Sequence, residues 1–250
     1  MVTPADGVRF LPGSDQTLMV YFGEQITLEV HERVVRFVRL LEQMPVDGIR
    51  NLHPGYCSVL VKFDASRWTH SRLAKVLRGY LGKLDGLTIG TPRVAEIPVC
   101  YGGEFGPDLG DICAANQLTR ERAVELHTSA EYLVYFPGFV PGFAYLGRVE
   151  ERARTTGNSK APEARKAVAP EVLDMPRLAV PRRSVPAGSV GIAGKQTGVY
   201  PFATPGGWRL IGRTPARMFR AETGKSVLAI GDRVRFVAIS EQRFAEWERA

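Results

Sequence analysis

From Tyr132 onward, every apolar run in this chain is soon interrupted by glycine or proline. Tyr132–Phe136, Ser189–Ala193, Trp208–Gly212, Val227–Ile230 and Arg233–Ile239 are all short, and Gly/Pro clusters separate them. A helix needs a longer uninterrupted stretch with a three- to four-residue period, whereas short runs between turn signals are what a barrel or sandwich requires. The chain has 26 glycines and 17 prolines among 250 residues, which favours many turns and a β-rich body.

The beginning of the chain reads differently. Leu18, Val20 and Phe22 alternate along a strand that Gly23 ends. Between about Gln25 and Gln43, Ile26, Val30, Val34, Phe37, Val38 and Leu41 recur at helical spacing with Glu32, Arg33, Arg36 and Glu42 between them, and Pro45 stops the helix. Ser58–Phe63 predicts a second strand, and Thr69 is placed to cap a helix bearing Leu73, Val76, Leu77 and Tyr80. The first ninety residues therefore read β, α, β, α. Leu84–Pro92 has no period and looks like a connector. We expect an α+β protein with a small N-terminal α/β domain over 1–88 and a mostly β domain over 89–250. In the second domain a strand is predicted at Val94–Tyr101, a turn-rich loop at Gly102–Gly110 and a short helix at Thr119–His127 with Thr119 as N-cap. The polar stretch near 148–173 has no apolar face and reads as an insertion or lid.

Charge and cysteine usage narrow the classes. Lys and Arg total 33 against 26 Asp and Glu, a net +7 that attracts anionic ligands without selecting one. No dense basic tract, zinc-finger spacing or aromatic RNA-binding strand accompanies it, so nucleic acid is not an expected partner. Cys57, Cys100 and Cys113 are widely spaced and odd in number, which suits a reducing compartment rather than a disulfide framework. The first ten residues lack a signal-peptide pattern, and no apolar run approaches the roughly 18 residues that cross a bilayer. A cytoplasmic location with no membrane partner is the expectation.

The familiar catalytic signatures fail on spacing. Gly224-Lys225-Ser226 has Phe219 where a phosphate loop needs its first glycine, and Gly194-Lys195 has Ser189 there and Gln196 in place of the hydroxyl. Ser189 lacks the flanking glycine pattern of a nucleophile elbow. His31, His53, His70 and His127 are too scattered for a local zinc motif, so no metal is expected. Two denser segments remain. Phe136-Pro-Gly-Phe-Val-Pro-Gly-Phe143 followed by Ala144-Tyr-Leu-Gly147 is a stiff aromatic loop, either a barrel corner or a ligand or partner surface. Pro181–Pro215 is glycine-dense and carries Arg182, Arg183, Arg209 and Arg213, whose forked donors suit carboxylate or phosphate. The alternative is that these glycines allow tight barrel bends and the arginines are solvated.

Together, Tyr101-Gly-Gly103, Gly106-Pro-Asp-Leu109, Phe139-Val-Pro-Gly-Phe-Ala-Tyr-Leu-Gly147, Val185-Pro-Ala-Gly-Ser-Val-Gly-Ile-Ala-Gly194, Gln196-Thr197, Tyr200-Pro201, Gly206-Gly-Trp208 and Ile211-Gly-Arg-Thr-Pro215 resemble, in order, the signatures of the allophanate hydrolase subunit 1 / KipI family. The resemblance implies a small α/β domain followed by a cyclophilin-like β-barrel. It also implies the role of the non-autonomous B component in an ATP-dependent 5-oxoprolinase, which opens 5-oxoproline to glutamate with a KipA-like C component and an A component. ATP with Mg would be shared with the partner, and the substrate would be a small anion. On that reading Arg182 and Arg213 hold carboxylate or phosphate oxygens, Gln196 and Thr197 position substrate or nucleotide, and Tyr132 and Tyr200 line the pocket. His127 would donate or accept a proton near neutral pH, or only cap its helix. Other readings stay open: a KipI-like inhibitor of a sensor histidine kinase acting through Phe139–Phe143, a component of urea or allophanate metabolism, and a prolyl isomerase suggested by the barrel alone. The family's Pro-Arg pair arrives about twenty residues late here, at Pro176-Arg177, so the 148–173 stretch is an insertion.

Overall fold

A computed structural model of the chain describes residues 7–87, 90–149 and 172–249. Apart from its ends, the expected 148–173 insertion lies outside the described residues. The chain divides into two compact units. One comprises residues 1–93, 135–137 and 229–231; the other comprises 94–134, 138–228 and 232–250. The first unit's leading segment thus runs five residues past the expected boundary at 88, and the unit takes in two short strips of later sequence.

In the first unit, β1 (Arg9–Ser14), β2 (Thr17–Tyr21), α1 (Leu28–Gln43), β3 (Ile49–Pro54), β4 (Ser58–Phe63) and α2 (His70–Leu81) follow one another. The strands form an antiparallel sheet in the order β1-β2-β4-β3. Alternation along the two central strands turns Leu18, Val20, Val59, Val61 and Phe63 inward against Val34, Phe37, Val38 and Leu41 of α1 and Leu73 and Leu77 of α2. Thr27 and Thr69 start the helices, their hydroxyls accepting from the N–H of Val30 at 3.2 Å and Arg72 at 3.4 Å. The β, α, β, α reading missed β1 and β3. Both are outer strands with little alternation: β1 contains Pro12 and Gly13, and β3 carries Arg50, Asn51 and His53. Their pairing is dictated by the central strands beside them.

The second unit is built around a closed barrel. Its strands are β5 (Val94–Tyr101), β6 (Glu131–Pro137, whose last three residues count with the first unit), β7 (Ala144–Arg148), β9 (Ser189–Ala193), β10 (Gln196–Val199), β12 (Arg209–Arg213) and β15 (Arg233–Ala238). They run β10-β7-β6-β15-β5-β12-β9 around the ring, and β15 pairs parallel with β5. Two small ribbons, β8 (Arg182–Val185) with β11 (Thr204–Gly206) and β13 (Phe219–Arg220) with β14 (Lys225–Ser226), accompany it. Helices α3 (Leu109–Asn116), α4 (Arg120–Thr128) and α5 (Glu241–Arg249) complete the unit. Thr119 caps α4 as its sequence predicts, accepting from Arg122 N–H at 3.2 Å. The core gathers Val99, Val134, Leu146, Val190, Ile211, Val234 and Phe236. None of the described helices is long and apolar enough to cross a membrane.

Candidate functional site

Inside the barrel, strand alternation and the last turn of α4 bring three polar side chains into line. The Tyr101 hydroxyl at the end of β5 lies 2.7 Å from His127 Nδ1, and His127 Nε2 lies 3.0 Å from Thr197 Oγ1 on β10. Thr197 in turn donates to the Gly191 carbonyl at 3.1 Å. Because that hydroxyl proton is committed to Gly191, Thr197 accepts from His127, which carries its proton on Nε2 and accepts from Tyr101 at Nδ1. Both nitrogens of a neutral imidazole are thereby satisfied. Tyr132 donates to the His127 carbonyl at 3.2 Å, and the Phe236 ring sits 4.3 Å from the imidazole. His127 is 1% exposed, and burial pushes its pKa down from 6.5 to about 3. Burial raises the phenols of Tyr101 and Tyr132. This corrects the expectation of a proton carrier near neutral pH: His127 is a neutral brace, because charging it would place an unpaired cation in an apolar interior.

The expected arginine clamp is placed differently from its sequence reading. Residues 102–108 lie along β12, with the N–H groups of Gly102 and Asp108 donating to the carbonyls of Ile211 at 3.0 Å and Leu210 at 2.9 Å. The approach is close enough that a side chain at Gly106 would collide with the Ile211 carbonyl. Asp108 then uses both carboxylate oxygens: Oδ2 accepts from Leu210 N–H at 2.6 Å and Oδ1 from Arg182 Nη2 at 2.7 Å. Arg182 is therefore a staple between β8 and β12 with its charge neutralised, not an open fork. Arg209 pairs with Asp111 at 2.9 Å. Arg213 stands apart, its guanidinium 4.8 Å from the Phe105 ring and 5.2 Å from the Phe244 ring. Its Nε is buried without a partner, and among the described residues none pairs with it through a carboxylate.

A third grouping is aromatic. Phe143 lies 5.4 Å from Tyr200 and 5.3 Å from Trp208, ring centre to ring centre, with Tyr145 beside them. Gly206 leaves room for the Tyr200 ring, where a Cβ would strike the phenol. Burial raises the Tyr200 phenol. Gln196 opens β10 opposite Ala193 and Gly147. His127, Thr197 and Tyr132 thus converge, while Tyr200, Arg182 and Arg213 each belong to other neighbourhoods. Sequence reasoning passed over Tyr101 and Asp108. Both stand in the Tyr101–Leu109 motif, whose order was visible although its partners across the chain were not. Tyr101 also lines a cavity of about 490 Å³ together with Leu109, Arg120, Val124 and Thr128.

Among the described residues no group of three His, Cys, Asp or Glu side chains is arranged to hold a metal ion. Arg182 and Arg209 are engaged by carboxylates, and the sequence carries no phosphate loop.

Known proteins resemble this chain in sequence and fold. The family model for "carboxyltransferase domain, subdomain C and D" matches residues 8–169 and 165–229. The B subunit of 5-oxoprolinase from Bacillus subtilis (strain 168) is 38% identical over 249 residues, covering 92% of each chain. The B subunit of 5-oxoprolinase from Escherichia coli O157:H7 is 49% identical over 217 residues, covering 86% of this chain and 89% of that one. The crystal structure of TTHA0988 superposes with a TM-score of 0.71 at 32% identity over 90% of this chain, which spans only 40% of that larger protein.

Proposed function

We propose, on the premise that this chain belongs to the family of carboxyltransferase domains, subdomains C and D, that it is the B component of an ATP-dependent 5-oxoprolinase. Its companions are a KipA-like C component and an A component, and together they open 5-oxoproline to glutamate. The single observation that carries this reading is the nearly end-to-end likeness to B subunits of two bacteria.

The geometry fits a contributing component better than a self-sufficient hydrolase. The one histidine in a polar chain is neutral and sealed, and no nucleophile signature or metal cluster occurs among the described residues. What this chain offers is positioning. Arg213 is held between two buried rings and keeps its charge uncompensated by any described carboxylate, so it is the residue we assign to a carboxylate or phosphoryl oxygen. Thr197 and Tyr132 brace the buried imidazole, Gln196 opens β10, and Tyr200 belongs to the separate aromatic cluster of Phe143 and Trp208. ATP with Mg is shared with the companions. The test is co-expression with both companions and measurement of 5-oxoproline-dependent ADP and glutamate release. Arg213→Ala is expected to lower turnover at least tenfold with the complex intact. A purified complex with no substrate-dependent ADP release would refute the activity, and an unimpaired Arg213→Ala complex would remove that residue's role.

A further inference from the structure

The loop between β6 and β7 places its most exposed ring where the backbone least favours one. Val140 N–H donates to the Gly138 carbonyl at 2.8 Å, closing a three-residue turn with Phe139 at its centre and a φ of +67° there. A γ-turn with positive φ at its centre is the rare, strained form, and glycine accepts it without the steric cost that a Cβ brings. The strain is locked by two further bonds, from Gly138 N–H to the Phe143 carbonyl and from Phe143 N–H to the Val140 carbonyl, both 3.1 Å. Burial does not repay it. The Phe139 residue is 57% exposed and touches the cluster only edge-on, 5.6 Å from Phe143 and 6.2 Å from Tyr200 between ring centres. Backbone preference and burial both disfavour a phenylalanine here, so its explanation lies outside the folded chain.

The surroundings define what would meet it. Gly142, three residues on, packs against Phe219, the residue before Arg220. Arg220 and Lys225 face each other across the β13–β14 ribbon, and both are exposed. Like charges set opposite one another repel, and no described carboxylate pairs with either, since Glu222 is taken by Arg217. On the Trp208 side of the cluster, Arg177 is exposed and stacks over that ring at 5.9 Å, again without a described carboxylate. Phe202 adds a further exposed ring next to Pro201, which also borders Gly142. The result is an apolar centre rimmed by three uncompensated cations.

We propose that this face docks the KipA-like companion, and that the segment it takes presents an apolar side chain flanked by carboxylates. This inference rests on the reading of the chain as one component of a complex. Phe139 is the anchor; Arg177, Arg220 and Lys225 supply orientation and salt-sensitive attraction.

The decisive variant is Phe139→Gly, which removes the ring and relaxes the turn. Its melting temperature is expected to equal or exceed that of the parent, while its Kd for the purified KipA-like companion rises by about thirtyfold or more. Paired Arg220→Glu and Lys225→Glu changes are expected to weaken association and flatten its salt dependence. Parental affinity in Phe139→Gly overturns the proposal. So does a melting temperature lowered as by loss of a core residue, which would make the ring structural. Sedimentation of the parent chain with phosphatidylserine vesicles, abolished in Phe139→Gly, would replace the protein occupant by a membrane. If the parent chain fails to bind the companion at all, the proposed function fails and the occupant with it. Equal binding by the parent and by Phe139→Gly overturns the docking proposal while leaving the proposed function standing.

Discussion

The imidazole sealed inside the barrel makes acid sensitivity a quantitative test of the site's geometry. In the unfolded chain His127 titrates near its ordinary 6.5, whereas the folded protein holds it down to about 3. Above pH 6.5 neither state binds the proton and the group contributes no pH dependence. As pH falls from 6.5 toward 3 the unfolded state takes up a proton that the folded state refuses, so stability is lost across that window at up to about 1.4 kcal/mol per pH unit. At pH 5 the loss amounts to roughly 2 kcal/mol. Other groups titrate in the same range, so the informative quantity is a difference between variants. His127→Gln keeps a donor and an acceptor but cannot charge. It is expected to be about 1–3 kcal/mol less stable than the parent at pH 7.5, and the gap should narrow by about 2 kcal/mol on going to pH 5. Urea unfolding followed by tryptophan fluorescence at half-unit pH intervals measures both curves. Parallel curves over pH 7.5 to 5 would refute the buried neutral imidazole and the chain of bonds drawn around it.

Other outcomes follow from the same contacts. Thr197→Val is nearly isosteric but strips an acceptor from His127 and a donor from the Gly191 carbonyl, and is expected to cost about 1–3 kcal/mol in equilibrium unfolding. Asp108→Ala orphans both Arg182 and the Leu210 N–H; a loss of about 3–5 kcal/mol is expected, with Asp108→Asn intermediate, measured by thermal melting. Gly106→Ala drives a methyl into the Ile211 carbonyl, where only backbone could yield, and should cost more than about 2 kcal/mol. A melting temperature within a degree of the parent would show that residues 102–108 do not lie against β12 as described.

The parts legible in the sequence are those carried by local pattern. Alternation at Leu18, Val20 and Phe22 and helical spacing from Val30 to Leu41 needed no knowledge of distant residues, and Thr69 and Thr119 announced their helices by residue type alone. Helices α3 and α5 escaped because their apolar signal is short: α3 buries only Leu109, Ile112 and Cys113, with Gly110 and Asp111 breaking its first turn, and α5 buries only Phe244. The site was hidden for a different reason. Asp108 meets Arg182 across 74 positions and His127 meets Thr197 across 70, separations that no window of spacing can register. The glycine-dense tract was read as possible room for a ligand. At Gly191 and Gly206 that room is filled by the protein's own Trp208 and Tyr200, the bland alternative of tight internal packing.

The order of strands around the barrel also bears on how the chain is made. Strand β15 sits between β5 and β6, aligned with β5 from Arg233 opposite Val94 to Ala238 opposite Val99. A ribosome delivers β5 and β6 long before it delivers the strand that joins them, so the nascent ring carries an open seam with two unsatisfied edges until residues 233–238 emerge from the exit tunnel. During synthesis, protection of that seam by a chaperone, or rapid completion of the chain, decides between closure and edge-to-edge association with a neighbouring nascent chain.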